Sequence, residues 1–194
     1  KGAPERILRQ ARLGAEEKRA AMAQVEAFAR QGLRVLGVGR VTDLPEIYPA
    51  DQEAFRPEFL GLVAFNDPPK ANIREVFNRF YEAGIQVKII TGDNAVTTAA
   101  IARQIGFRGA DRTMEGDELL QMDEEQLRAA VREVNIFTRM FPEAKLRIIN
   151  ALKAEGHVVA MTGDGVNDGP ALKAAHIGIA MGKRGSELAK GAAS

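Results

Sequence analysis

Residues 158–170 read Val-Val-Ala-Met-Thr-Gly-Asp-Gly-Val-Asn-Asp-Gly-Pro, and their reading decides the fold. An apolar run of strand length stops at Thr162-Gly163-Asp164, so a strand delivers Asp164 to the rim of a sheet. The glycines on either side let backbone and ligand approach closely. Asp168 follows four residues later, and Pro170 suits the first turn of a helix. Two carboxylates at that spacing suit Mg²⁺, which takes one or two protein carboxylates and fills its shell with water and phosphate oxygens. Asn167 can donate a hydrogen bond to a phosphate oxygen without adding negative charge. A plain Asx-rich turn is the other reading, but such a turn needs neither two acids nor the amide.

Outward from there, Thr91-Gly92-Asp93 closes a second apolar run, 85–90. A threonine hydroxyl and the backbone N–H groups after it can hold phosphoryl oxygens at a strand end. Taken alone, a loop with an N-cap aspartate would account for it. In one sheet, Thr91 and Asp164 face the same crevice. Lys145 stands just inside a helix that Pro142 opens, where a cation neutralises a transferring phosphoryl group. By itself, it and Arg139 would each read as solvated surface. A Walker-like piece, 178–183, is one residue short and has Arg184 where Ser or Thr is required, so it is set aside. His157 and His176 read as structural.

Elsewhere the pattern alternates. Residues 15–31 read as a helix with the stripe Met22, Val25, Phe28 and Ala29, and 33–38 as a strand. Residues 43–57, with three prolines, read as a connecting loop, and 59–65 as a strand stopped by Asp67-Pro68-Pro69. Then follow a helix with the stripe Ile73, Val76, Phe77 and Phe80, closed by Gly84, and the strand 85–90. A short helix over 94–105 stops at Gly106. Asp123 with Gln126 forms a capping box for a helix with the face Leu127, Ala130, Val131 and Val134. The strand 135–138, a helix from Pro142 to Glu155, the strand 157–162, a short helix, the strand 176–180 and a last helix from 186 complete the run. Strand–helix alternation of this kind predicts an α/β fold: a doubly wound parallel sheet with helices on both faces. Ligands of such sheets sit in the crevice at the carboxyl ends of the strands.

Composition bounds the rest. The formal net charge is +1, with 27 Lys and Arg scattered among 26 Asp and Glu, which leaves no footprint for nucleic acid or an anionic membrane. No run approaches the roughly 18 apolar residues that span a bilayer. There is no cysteine, so disulfides and thiolate metal sites are excluded. The chain opens on Lys1 without an initiator Met and reads as an excerpt from something longer.

Taken in order, Lys1-Gly2-Ala3-Pro4-Glu5, Asp67-Pro68-Pro69-Lys70, Thr91-Gly92-Asp93-Asn94, Thr162 through Pro170, and Ile177-Gly178-Ile179-Ala180-Met181-Gly182 resemble successive signatures of P-type cation-transporting ATPases. The likeness leans towards the calcium and sodium/potassium pumps. It implies that 1–66 are the C-terminal part of an α+β nucleotide-binding domain. It implies that 67–194 are a haloacid-dehalogenase-like phosphorylation domain without its nucleophile segment, an Asp-Lys-Thr-Gly-Thr upstream. By motif match it puts Lys1 and Gly2 at the adenine pocket and Arg34 at the ATP phosphates, with Asp67 and its two prolines as an interdomain hinge. It puts Thr91, Gly92, Asp93, Arg139, Lys145 and Asn167 on phosphate, and Asp164 on Mg²⁺ with Asp168 supporting the site. ATP and Mg²⁺ are then substrate and cofactor. The parent's actuator and membrane domains and a transported cation are then partners, and the cytoplasmic face of a membrane is the location. Phe141, Lys70 and Gly169 depart from the commoner residues of that family, and none of the three removes a ligand. Two alternatives stand beside this reading: a self-contained phosphatase with Asp67 as nucleophile, and a non-catalytic nucleotide-binding module.

Overall fold

In the computed structural model, which describes residues 1–42, 47–51, 54–182 and 185–193, the chain divides into two units, Lys1–Ala71 and Asn72–Ser194. Lys183 and Arg184 of the Walker-like piece, and parts of the 43–57 loop, lie outside the described residues.

The first unit is an antiparallel pair, β1 (Arg34–Arg40) and β2 (Glu58–Phe65), with α1 (Pro4–Gln10) and α2 (Ala15–Arg30) packed on β1. Helix α1 is absent from the sequence reading; Pro4 and Glu5 in its first turn are its local start signals. Gly2 and Gly37 exchange backbone hydrogen bonds of 3.1 and 2.9 Å, which ties the start of the chain to β1. Of the stripe read on α2, only Ala29 is buried. Leu8, Ala11 and Ala29 are buried with Val35 of β1.

The second unit carries α3 (Ile73–Glu82), β3 (Ile89–Ile90), α4 (Ala95–Gln104), β4 (Thr113–Glu115), α5 (Gly116–Leu120) and α6 (Glu124–Glu133). After these come β5 (Ile136–Thr138), α7 (Pro142–Ala154), β6 (Ala160–Gly163), α8 (Gly169–Ala174), β7 (Ile177–Ala180) and α9 (Glu187–Ala192). Its strands are all parallel, and the alternating α/β architecture is as the sequence predicts. The single sheet is not: β3–β5–β4 and β6–β7 are hydrogen-bonded separately. Both pieces close on one core, in which Phe137, Ile148 and Leu172 are fully buried and Ile90, Met161 and Ala180 take part.

Local chemistry explains the element ends. Asp123 accepts from the Gln126 N–H at 2.8 Å while Gln126 Oε1 accepts from the Asp123 N–H at 3.0 Å, the reciprocal box that starts α6. Gly84 and Gly106 turn the chain after α3 and α4 at φ 74° and 72°, a region that L side chains avoid. The strand predicted over 85–90 shrinks to two residues because its neighbour β5 is only three long. Ahead of it Lys88 Nζ instead donates to Val134 O at 2.7 Å and Asn135 Oδ1 at 3.0 Å. Burial there pushes the Lys88 ammonium down to about 8. The predicted stripe of α3 is only partly covered: Phe77 meets Phe107 edge-on at 5.5 Å, whereas Phe80 is 41% exposed. Strand β4 and helix α5 went unread, since three residues and five carry too little periodicity to register.

Candidate functional site

The candidate ligands of the second unit lie in the segments that follow β3, β5 and β6. Thr91 follows β3. Its N–H donates to Phe137 O at 2.9 Å, and its Oγ1 accepts from the Asp93 N–H at 3.1 Å, a tight turn that leaves Gly92 exposed. Asn94 then caps α4, its Oδ1 accepting from the Thr97 N–H at 2.9 Å.

The loop after β5 is hooked onto this turn. Arg139 N donates to Asp93 O and Met140 N to Thr91 O, both at 2.9 Å. Arg139 holds φ 52°, the one positive value among the described non-glycine residues. A non-glycine residue is strained there, and the bond to Asp93 helps to hold it. Its guanidinium lies 3.4 Å from Glu115 at the end of β4.

The same loop runs into α7, whose first turn carries Lys145. Lys145 Nζ reaches Asp168 Oδ1 at 2.7 Å, and both side chains are only 12% exposed. Asp168 Oδ2 accepts from the Gly165 N–H at 3.1 Å. Burial works against the ionised form of Asp168. The Lys145 hydrogen bond and charge and the backbone donors outweigh that, and hold the carboxyl below its ordinary range. The acid is packed so close to the end of β6 that a Cβ on Gly163 would stand 2.7 Å from Asp168 Cβ; the glycine is required sterically.

Asp164 and Asn167, by contrast, are exposed. Asp164 is anchored through its backbone, its carbonyl accepting from Ser186 N at 2.8 Å. The segment 139–145 thus links the two strand-end loops: it is bonded to Thr91 and Asp93 at one end and to Asp168 at the other. Lys1, Gly2 and Arg34 belong to the other unit, along β1.

A cation would meet few carboxylates. Among the described residues, no group of three or more His, Asp or Glu gathers to hold a metal. Asp168 is buried and paired with Lys145, so the exposed Asp164 is the acid more open to a cation. One carboxylate plus neighbouring donors fits Mg²⁺, which brings water and phosphate oxygens of its own. Two contributors were missed in the sequence: Glu115 and the backbone of Met140. Gly163 was read as allowing close approach, and the group that approaches it is Asp168. Of the missed pair only Glu115, an acid, left any signal. Asp67, the nucleophile of the phosphatase alternative, follows β2 of the antiparallel pair and ends no strand of the parallel sheets.

A model for haloacid dehalogenase-like hydrolases matches residues 5–176. The chain is 41% identical over 168 residues to calcium-transporting ATPase 1 of Saccharomyces cerevisiae, covering 84% of the chain and 18% of that protein. It is 43% identical over 175 residues to a probable cation-transporting ATPase F of Mycobacterium tuberculosis, covering 87% and 19%. To the human calcium-transporting ATPase type 2C member 1 it is 41% identical over 163 residues, covering 84% and 17%. The chain therefore spans less than a fifth of the length of these relatives.

Proposed function

The chain belongs to the haloacid dehalogenase-like hydrolases, and from that premise we propose that it is the ATP- and Mg²⁺-handling part of a cation-transporting ATPase that works through an aspartyl phosphate. Residues 1–66 are then the end of a nucleotide-binding domain and 67–194 most of a phosphorylation domain. The phosphorylated aspartate, the actuator and the ion-carrying membrane domain come from elsewhere in the parent, and this part sits at the cytoplasmic face. Among the described residues no helix is long and apolar enough to cross a membrane.

One observation carries the reading: the Lys145–Asp168 pair, buried at the end of β6 and joined through 139–145 to the Thr91 turn. Phosphoryl transfer asks a protein mainly for positioning and for neutralisation of charge. Lys145, held by Asp168, puts a fixed cation beside the crevice. The Thr91 hydroxyl and the Gly92 N–H offer donors to phosphoryl oxygens, joined by Asn167 and Arg139. Asp164 would hold Mg²⁺, with Asp168 supporting it through Lys145 and Gly165, and the ion would supply charge neutralisation at the phosphoryl oxygens. The free edges support a missing strand: among the described residues, β3 and β6 each keep one edge without a strand partner, and a segment carrying the nucleophile would fill such a gap.

Calorimetric titration of the purified chain with ATP and Mg²⁺ tests the reading; binding is expected, and Asp164→Asn should remove the Mg²⁺ dependence. The chain alone should not take up acid-stable label from γ-labelled ATP. Uptake would place a nucleophile within these residues and overturn the proposal.

A further inference from the structure

We infer that the first unit holds a second anion site, at the Arg40 end of β1, and that its ligand is a small organic phosphate. A cavity of about 290 Å³ opens there, lined by Arg12, Arg40, Arg56, Thr42, Glu58 and apolar side chains that include Phe55. Small-molecule sites run from roughly 300 to 1,000 Å³ and combine apolar walls with a few placed polar groups. The three arginines come from separate stretches of the chain, and short bonds bring those stretches together. Arg12 N, just after α1, donates to Pro57 O at 3.2 Å. Arg40 pairs in the register with Glu58, and its Nη2 donates to Glu58 Oε2 at 2.8 Å. Arg56 Nη1 donates to Phe55 O at 3.3 Å. The Arg12 guanidinium makes no hydrogen bond or ion pair among the described residues.

Charge and shape choose the ligand. Among the lining residues, three guanidiniums stand against one carboxylate, an excess of two positive charges. A phosphate monoester carries nearly two negative charges near neutral pH, and guanidiniums take its oxygens in bidentate pairs. A carboxylate would leave one positive charge uncompensated. The Thr42 hydroxyl can donate to a further oxygen, and the ring of Phe55 gives an organic body a wall that free phosphate would not use. The site is separate from the nucleotide of the proposed function. Among the described residues, Lys1, Gly2 and Arg34 do not line it. Arg34 stands at the opposite end of β1, about 20 Å away at the rise of a strand.

The test titrates the whole chain and its Arg12→Gln variant with phenyl phosphate and follows the Thr42 backbone amide by NMR, a signal that reports this cavity and not the Thr91 turn. The Thr42 signal should move and saturate in the native chain, and the variant should bind roughly tenfold more weakly, with its ATP affinity unchanged. A Thr42 signal that stays still, or that titrates equally in both proteins, overturns the inference. Inorganic phosphate saturating the signal as tightly as phenyl phosphate would make the free ion the ligand and overturn the organic one. Tighter binding of a glutamate-rich peptide would give the cavity to an acidic protein segment, with the same result. A parallel loss of ATP affinity in Arg12→Gln would merge the cavity with the nucleotide site and overturn its separateness, whereas a native chain that binds no ATP would sink the proposed function and leave this inference intact. Should the variant fail to fold by circular dichroism, the native titration decides alone, and a motionless Thr42 signal overturns the inference.

Discussion

Two loops of the second unit share the letters Thr-Gly-Asp and use them differently. At 91–93 the threonine hydroxyl folds back onto the Asp93 N–H, and the turn is braced by the backbone of the loop after β5. At 162–164 the turn is braced by a buried side-chain ion pair, and its own aspartate is left exposed. In the first, the Thr91 and Asp93 N–H groups are both bonded within the scaffold, to Phe137 O and to the threonine hydroxyl. In the second, the buried pair lies behind an exposed Asp164 carboxylate. Identical tripeptides thus acquire different surroundings from what lies four residues on and on neighbouring elements.

The sharpest way to break this contrast is to remove Lys145. Lys145→Met leaves Asp168 buried without its counter-charge, and unfolding in urea should show a loss of about 3–5 kcal/mol. Adding Asp168→Asn to that variant should recover part of the loss, because the stranded charge is gone. If Lys145→Met costs no more than an exposed substitution, the pair does not brace the second loop.

Asp164→Asn should separate function from stability. Mg²⁺ affinity, read by titration, falls roughly tenfold or more, while the urea midpoint barely moves, as expected for an exposed position.

The pH dependence follows from the depressed carboxyl of Asp168. Its contribution to stability is fully present above its unfolded value of about 3.9 and is lost as pH falls through the lower folded value. Urea midpoints measured down the acid limb should fall less steeply in Asp168→Asn than in the native chain. Equal slopes would mean that the pair contributes nothing to acid sensitivity.

The smallest effect belongs to the first loop. Thr91→Val removes one acceptor for the Asp93 N–H and should cost about 1 kcal/mol, with weaker binding of inorganic phosphate; Thr91→Ser should restore both.

Much of the scaffold was legible because its signals are local. The Asp123–Gln126 box, Pro142 opening α7 and the glycines closing α3 and α4 each involve residues a few positions apart, so spacing alone reveals them. The missed pieces are short or depend on a partner. Helix α5 has five residues, and its last carbonyls, Leu119 and Leu120, accept from Arg147 on α7. The break of the sheet into two pieces was invisible, because strand pairing is decided between segments and no one segment announces it. At the candidate site, the residue types were readable, and the family likeness already set Asp164 on the metal with Asp168 in support. What was not readable is the partner: Asp168 is held by Lys145, 23 positions away.

The amino-acid order by itself determined the alternation of strand and helix, the strand-end position of both Thr-Gly-Asp turns, and the lack of a charge bias or membrane span, since all of these depend on neighbours along the chain. Only the tertiary structure decided which acid is buried with a lysine, which arginine is held at positive φ, and which helices pack on β1. Those outcomes depend on which groups lose their water and what meets them there, and that is settled by packing between distant segments.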